Sequence, residues 1–380
     1  MKIFSSVHVD KTGSLPGLQG AIDSALENGA KCLLIFLCSE HTFDIEELPP
    51  LFSSLPVPIC AGVFPGIIHD FDYSRQGALV CGFIAPLFPT VIEDIDRQRS
   101  DIKLKMKKCL NGNTPAGAIV FIDGQSKGID NLVSCIYNCL GPTPIVVGGG
   151  AGYLDFSHRP CIITAEGCYK NAGVIISLPA PLVLGVRHGW ENVAGPFLVT
   201  HASDNVIHSI NYEPAFPFYK EIIEEHYGES VDFTTFLDVA KSYPLGMAQL
   251  NKEFLVRDPL RRNGDYIECA GSVPQNTMIY LLHSEPDKLI QSAALASKEL
   301  RAKLSPVYEA GEGYYTFTID CISRELFLGE EYGKELEAIK KELPDKTQTV
   351  GVLSLGEIAS SSQGTIRFLN KSTVVGGVGR

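Results

Sequence analysis

Apolar runs of strand length alternate with amphipathic stretches along the whole chain, and most runs end at glycine or a polar turn. LPGLQGAIDSALENG (15–29) has helical spacing and stops at Gly29. KCLLIFLCS is an unbroken apolar run and reads as a buried strand. A short helix from about Asp44 to Ser54 follows, then the strand VPICAGVF, with Gly62 and Gly66 marking its end, and the strand ALVCGFIA. A long helix is predicted from about Ile92 to Leu110. GAIVFIDG, a helix over 128–140 and TPIVVGGG form a strand–helix–strand unit. The segment CIITAEGCYKNAGVIISL reads as a hairpin with Asn171 and Gly173 near its turn.

The second half repeats this order. TMIYLLHS is a strand, 286–304 a helix, YYTFTIDCIS a strand, EEYGKELEAIKKEL a helix and TVGVLSLGE a strand. A polar hairpin around Gly364 closes the chain. The pattern predicts an α/β fold of mixed (α+β) character: two similar halves from an internal duplication, each with a mixed sheet flanked by helices. The equivalent units are 117–150 and 315–357. Domains are expected over 1–195 and 196–380, joined across 181–220, where prolines, glycines and the turn at Asp204-Asn205 suggest a linking hairpin. Trp190, the only tryptophan, is expected to bury its ring at this junction.

A length of 380 residues allows two domains with ample core. The net charge of −12 argues against a nucleic-acid groove or an anionic membrane as the main partner. The nearest basic cluster, Lys103, Lys105, Lys107 and Lys108, reads as a solvated helix face. No apolar run reaches the ~20 residues that span a bilayer, and the N-terminal segment lacks the apolar core of a signal peptide. Eleven scattered cysteines without a CxxC predict reduced thiols, no metal and a cytoplasmic location. Cys135 and Cys139 read as core residues of one helix.

The last quarter carries the candidate chemistry. A strand ends in Cys321 and Arg324, another in Gly356-Glu357, and the hairpin returns to Asn370 and Thr373. Ends of strands in α/β sheets are where ligands tend to bind. Arg324 after an apolar strand needs a carboxylate, either Glu357 or a ligand anion. Cys321 is either a buried thiol or, with a lowered pKa, a nucleophile. Gly148-Gly149-Gly150 follows a strand, but no helix follows it, so close backbone approach explains it better than phosphate binding. The histidines are dispersed, with His201 and His208 on two arms of a hairpin, and no zinc spacing occurs.

Nearly the whole chain resembles the FIST family, with its N and C parts. The resemblance lies in the Cys60–Gly62–Gly66 strand end, the glycines 148–150, GVRHGW and VTHASDNVIHSINYEPAFPFYKEII. It continues in VRDPLRRNGDYIECAGSVPQNTMIYLL, DCISRELFLG and GVLSLGEIA. The family often carries a His-Asn step near the end; here it is Leu369-Asn370. The resemblance implies a cytoplasmic sensory module of signal transduction that binds a small ligand such as an amino acid. Some relatives are implied to bind haem and respond to nitric oxide. The chain is expected to act alone, through a separate signalling protein, without nucleic acid or membrane insertion. The expected ligand-binding residues are Cys321, Arg324, Glu357 and Asn370, with Cys60 and Gly149 from the first half. Arg324 would pair a ligand carboxylate, Glu357 an amine, and Asn370 would offer donor and acceptor. No cofactor and no catalytic residue is assigned; the rivals are a haem sensor and a cysteine-dependent acyl- or amidino-transfer enzyme.

Overall fold

The computed structural model describes residues 3–97, 101–104, 115–249, 253–304, 314–361 and 364–379. One strand order occurs three times. The first unit contains β1 (Phe4–Asp10), α1 (Leu15–Glu27), β2 (Cys32–Cys38), α2 (Leu48–Ser53), β3 (Ile59–Phe64), the hairpin β4 (Gly66–His69) and β5 (Asp72–Ser74), and β6 (Ala78–Phe83). The second contains β7 (Thr90–Ile92), β8 (Gly117–Asp123), α3 (Ile129–Leu140), β9 (Ile145–Ala151), the hairpin β10 (Ile162–Thr164) and β11 (Gly167–Tyr169), and β12 (Gly173–Leu178). The third begins with β13 (Val183–Arg187).

A lobe interrupts this third unit. It comprises β14 (Glu191–Ser203), β15 (Val206–Ile210), β16 (Glu213–Pro214), α4 (Ala215–Tyr227), α5 (Phe236–Ala240), β17 (Leu245–Ala248), β18 (Phe254–Arg257), β19 (Pro259–Asn263), β20 (Tyr266–Cys269) and β21 (Met278–His283). The unit then resumes with α6 (Pro286–Leu304), β22 (Tyr314–Cys321), α7 (Ile322–Leu328), α8 (Tyr332–Glu342), β23 (Gln348–Ser354), the hairpin β24 (Glu357–Ser360) and β25 (Ile366–Leu369), and β26 (Thr373–Gly379).

The three units exchange their hairpins in a ring. The sheets run β1-β6-β2-β3-β10-β11, β7-β12-β8-β9-β24-β25 and β13-β26-β22-β23-β4-β5. In each, one parallel pair (β2/β3, β8/β9 or β22/β23) is flanked by antiparallel neighbours, and the outer hairpin comes from another unit. The mixed α/β fold with helix-flanked sheets and internal repetition is therefore present. Units 117–150 and 315–357 correspond in topology, and residues 4–83 form a third copy.

Local chemistry explains the elements. Ser14 caps α1 by accepting from the Gly17 N–H at 3.2 Å, and Leu18, Ala21, Ile22 and Ala25 form its buried face. Every residue of β2 is buried, as a continuous apolar run in the middle of a covered sheet requires. The inner faces of the three sheets pack on one another. Phe36, Phe64 and Phe121 meet there with ring centroids 5.2–5.8 Å apart, and Phe4 joins Tyr315 and Phe317. Lobe residues such as Tyr219, Ile223 and Ile267 form a separate core.

Several expectations change. Ile92 ends a strand instead of opening a helix; helical residues appear at 101–104, and Lys105, Lys107 and Lys108 lie outside the described residues. The turn of the 161–178 hairpin falls at Ala165-Glu166, while Asn171 (φ +50°) joins strands of two sheets. Helix α7 was not expected. The linking hairpin turns at Asp204-Asn205 between β14 and β15, and Trp190 is buried.

Candidate functional site

Two neighbouring cavities share Asn370 as a wall. The smaller, of about 190 Å³, lies at the carboxyl ends of β8 and β22. The β8–α3 loop and the first turn of α3 (Gly124 to Asn131) form one side. Asp258, Arg261 and the turn around Gly271 supply the lobe side, and Cys321, Ser323, Gly356 and Asn370 the third. Carboxyl ends of parallel strands are where crossovers diverge and leave space for ligands. Charged contacts fill the surroundings. Arg75 donates to both carboxylate oxygens of Glu325 at 2.6–2.8 Å. Tyr153 is buried under Arg159, and His158 pairs with Asp123 at 2.8 Å.

Asn370 is 2% exposed, and its Oδ1 has no hydrogen-bond partner among the described residues. Buried carbonyl oxygens are normally satisfied, so this one is available to a ligand N–H. It is held by its surroundings: Gly356 sits at φ +89°, where a Cβ would lie 3.0 Å from Asn370 Nδ2 and 2.4 Å from the Phe368 ring. Asp258 is buried beside it, with Lys371 Nζ 3.2 Å from Oδ1, and Ser323 Oγ donates to Oδ2. Burial pushes the Asp258 carboxyl up, against the pull of Lys371 and Ser323. Lys371 also donates to the Lys241 carbonyl at 2.8 Å and lies 5.0 Å from the centre of the Trp190 ring.

Of the expected set, Cys321 and Asn370 reach this cavity. Cys321 is buried, and burial, then Glu357 and Asp258, push its thiol well up despite Lys371. A nucleophilic thiol needs the opposite shift. Glu357 opens β24 behind the wall and lines neither cavity. It accepts from Ser354 Oγ at 3.0 Å and from Ser372 N and Oγ at 3.1 and 2.6 Å, and burial outweighs these bonds to push it up to about 8.

Three further candidates line neither cavity. Arg324 does not pair with Glu357, nor does it line a cavity. Its guanidinium donates to both oxygens of Glu335 at 3.0 and 2.6 Å and to the carbonyls of His188, Lys371 and Leu289. Helix α8 brings Glu335 to it, a contact that strand-end reasoning did not anticipate. Cys60 is the second residue of β3, its thiol pushed up by burial in the common core. Gly149 lies in β9, where a Cβ would be 2.8 Å from Ile319 and 2.9 Å from Ser354. The neighbouring Gly148 would place one 1.6 Å from the Val120 carbonyl oxygen, so close strand approach accounts for the glycine run.

Sequence reasoning missed Asp258, Lys371 and Glu335. The first had a signal: a charged Arg257-Asp258 step between the apolar Val256 and Pro259.

Haem needs an axial ligand beside an apolar slot. Among the described residues no histidine lines the smaller cavity. His188 lines the larger, and its Nδ1 accepts from the Trp190 N–H at 3.0 Å. Burial, Arg324 and Arg187 push it down to about 4, and the same positive charges disfavour cationic iron there. Neither of these two cavities thus pairs an apolar slot with a histidine set to hold haem iron. No cluster of three or more metal-ligating side chains occurs among them either, and their cysteines are free. Also among the described residues, no helix is long and apolar enough to cross a membrane.

No curated protein matches the chain. The model of the FIST N domain matches residues 32–213, and that of the FIST C domain matches 215–360. The matches meet inside the lobe and together cover most of the chain. FIST domains are sensory domains of signal transduction, which implies a ligand-binding sensor. The cavity at the strand ends sits in a chain matched along most of its length by these two models in tandem: the protein belongs to the FIST family.

Proposed function

We propose that the protein senses a small zwitterion of amino-acid type, bound in the smaller cavity. The observation that carries this reading is the buried, unpartnered Oδ1 of Asn370 on the cavity wall. A ligand ammonium would donate to it with the Asp258 carboxylate nearby, and the ligand carboxylate would face Lys127 and Arg261 at the exposed rim. Glu357 and Arg324 support the wall from behind instead of touching ligand. The scattered reduced thiols support a cytoplasmic location, and the output would pass to a separate signalling protein. The high thiol pKa of Cys321 weighs against the transferase alternative.

A thermal-shift screen of the full chain against amino acids and small carboxylates tests the proposal. Stabilisation by at least one zwitterion is expected. Asn370→Ala should weaken that binding by about 1–3 kcal/mol while leaving the unliganded melting point unchanged or higher, because an unsatisfied polar group is removed. Equal binding by parent and variant would remove Asn370 from the site.

A further inference from the structure

The larger cavity, of about 830 Å³, lies on the other side of Asn370, between β13, α6, the β24–β25 hairpin and β18. This volume is in the range of small-molecule sites. Its wall is apolar along Leu184, Phe254, Val256 and Leu295, and Leu295 is 46% exposed on its helix. Two of its cations share one carboxylate. Arg187 pairs with Glu299 at 2.6 Å, and Lys303 pairs with Glu299 at 2.6 Å while donating to the Leu184 carbonyl at 2.8 Å.

Arg367 is different. Among the described residues its one hydrogen bond runs from Nε to Thr365 Oγ1 at 3.4 Å, beyond the usual range, and it forms no ion pair with Glu253 or Glu299, the two carboxylates that line the cavity. A half-buried guanidinium beside apolar surface and outside any ion pair among these residues is free to take a ligand anion. Of the charged side chains that line the cavity, Arg187, Lys303 and Arg367 outnumber Glu253 and Glu299 by one, so the balance also favours negative charge.

We propose that this cavity is a second ligand site, for an amphipathic monocarboxylate whose apolar body lies on Leu184, Phe254, Val256 and Leu295 and whose carboxylate is held by Arg367. The two cavities share Asn370, but Arg367 lines only this one, so its substitution tests this site apart from the zwitterion site.

Decanoate, below its micelle concentration, is the probe. It is titrated calorimetrically into the full chain, with decanol and decylammonium as tail-matched controls. One decanoate site is expected, at least about tenfold tighter than either control. Arg367→Gln should weaken decanoate about tenfold or more and leave decanol unchanged, and Arg367→Lys should fall between them. Thermal melts of both variants show whether each is folded, and the Lys variant separates loss of charge from loss of structure. Absence of binding up to millimolar decanoate overturns the proposal. So does equal affinity for decanoate and decylammonium, or undiminished decanoate binding by folded Arg367→Gln.

Discussion

Arg324 is fully enclosed, and every strong acceptor around it belongs to the chain. Burial opposes its charge, and Glu335, then Asp320, outweigh that cost. It ties α7 and α8 to α6, to the β13–β14 link and to the turn after Asn370. Arg324→Met leaves Glu335 as an uncompensated buried carboxylate and should destabilise the fold by about 3–5 kcal/mol, read from urea unfolding. A loss below ~1 kcal/mol would show that the ion pair is dispensable. Glu357 behaves differently, because among the described residues no cation is bonded to it. Its pKa rises from an ordinary 4.5 to about 8 on folding, with burial as the main cause. The folded chain keeps a proton that the unfolded chain releases. The stability contributed by this group is therefore complete below about pH 4.5, falls as pH rises, and is lost above about pH 8. Glu357→Gln should flatten stability over that window, as measured by denaturant midpoints from pH 5 to 8.5. An unchanged slope would assign the pH dependence to other groups.

At the scale of elements, the exchanged hairpins set the cavity walls. β24 leaves its own unit at Gly356, pairs with β9 through Glu357↔Gly149, and returns through β25 to Asn370. The turn at Gly356 therefore positions both the hairpin and the unsatisfied amide. Gly356→Ala forces a Cβ into a φ of +89° and toward Phe368 and Asn370. A cost of about 2 kcal/mol or more is expected, together with weaker zwitterion binding, by calorimetric melting and ligand titration. An alanine variant as stable as the parent would mean that the turn relaxes into another conformation.

For the whole molecule, no sheet of the three-unit ring is made by one unit alone. The sheet of β22 and β23 needs β4 and β5, and that of β8 and β9 needs β24 and β25. The segments matched by the two family models are thus interleaved in space. Residues 1–213 expressed alone should lack a cooperative thermal transition and bind a hydrophobic dye, because the β9 edge is unpaired and β4–β5 has no sheet to join. Adding residues 214–380 should restore the cooperative transition and abolish dye binding. A cooperative melt of the isolated 1–213 fragment would contradict the interleaved account.

Local pattern alone determined much of the element inventory. The helix read over 15–29 is Leu15–Glu27, and that over 286–304 is Pro286–Leu304, because caps and apolar periodicity act within a few residues. The same reading placed Cys321 and Asn370 at strand ends. Only the tertiary structure decided that Arg324 faces Glu335 instead of Glu357, that the repeat runs three times, and that the hairpins change sheets. It also decided that lobe residue Asp258 meets Asn370 across one cavity. Each of these depends on pairing between residues far apart in the chain, as in Glu357 opposite Gly149 or Val352 opposite Ile67. Such partners are chosen by burial of whole sheet faces against one another, an energy summed over three units, and short-range periodicity carries no record of it.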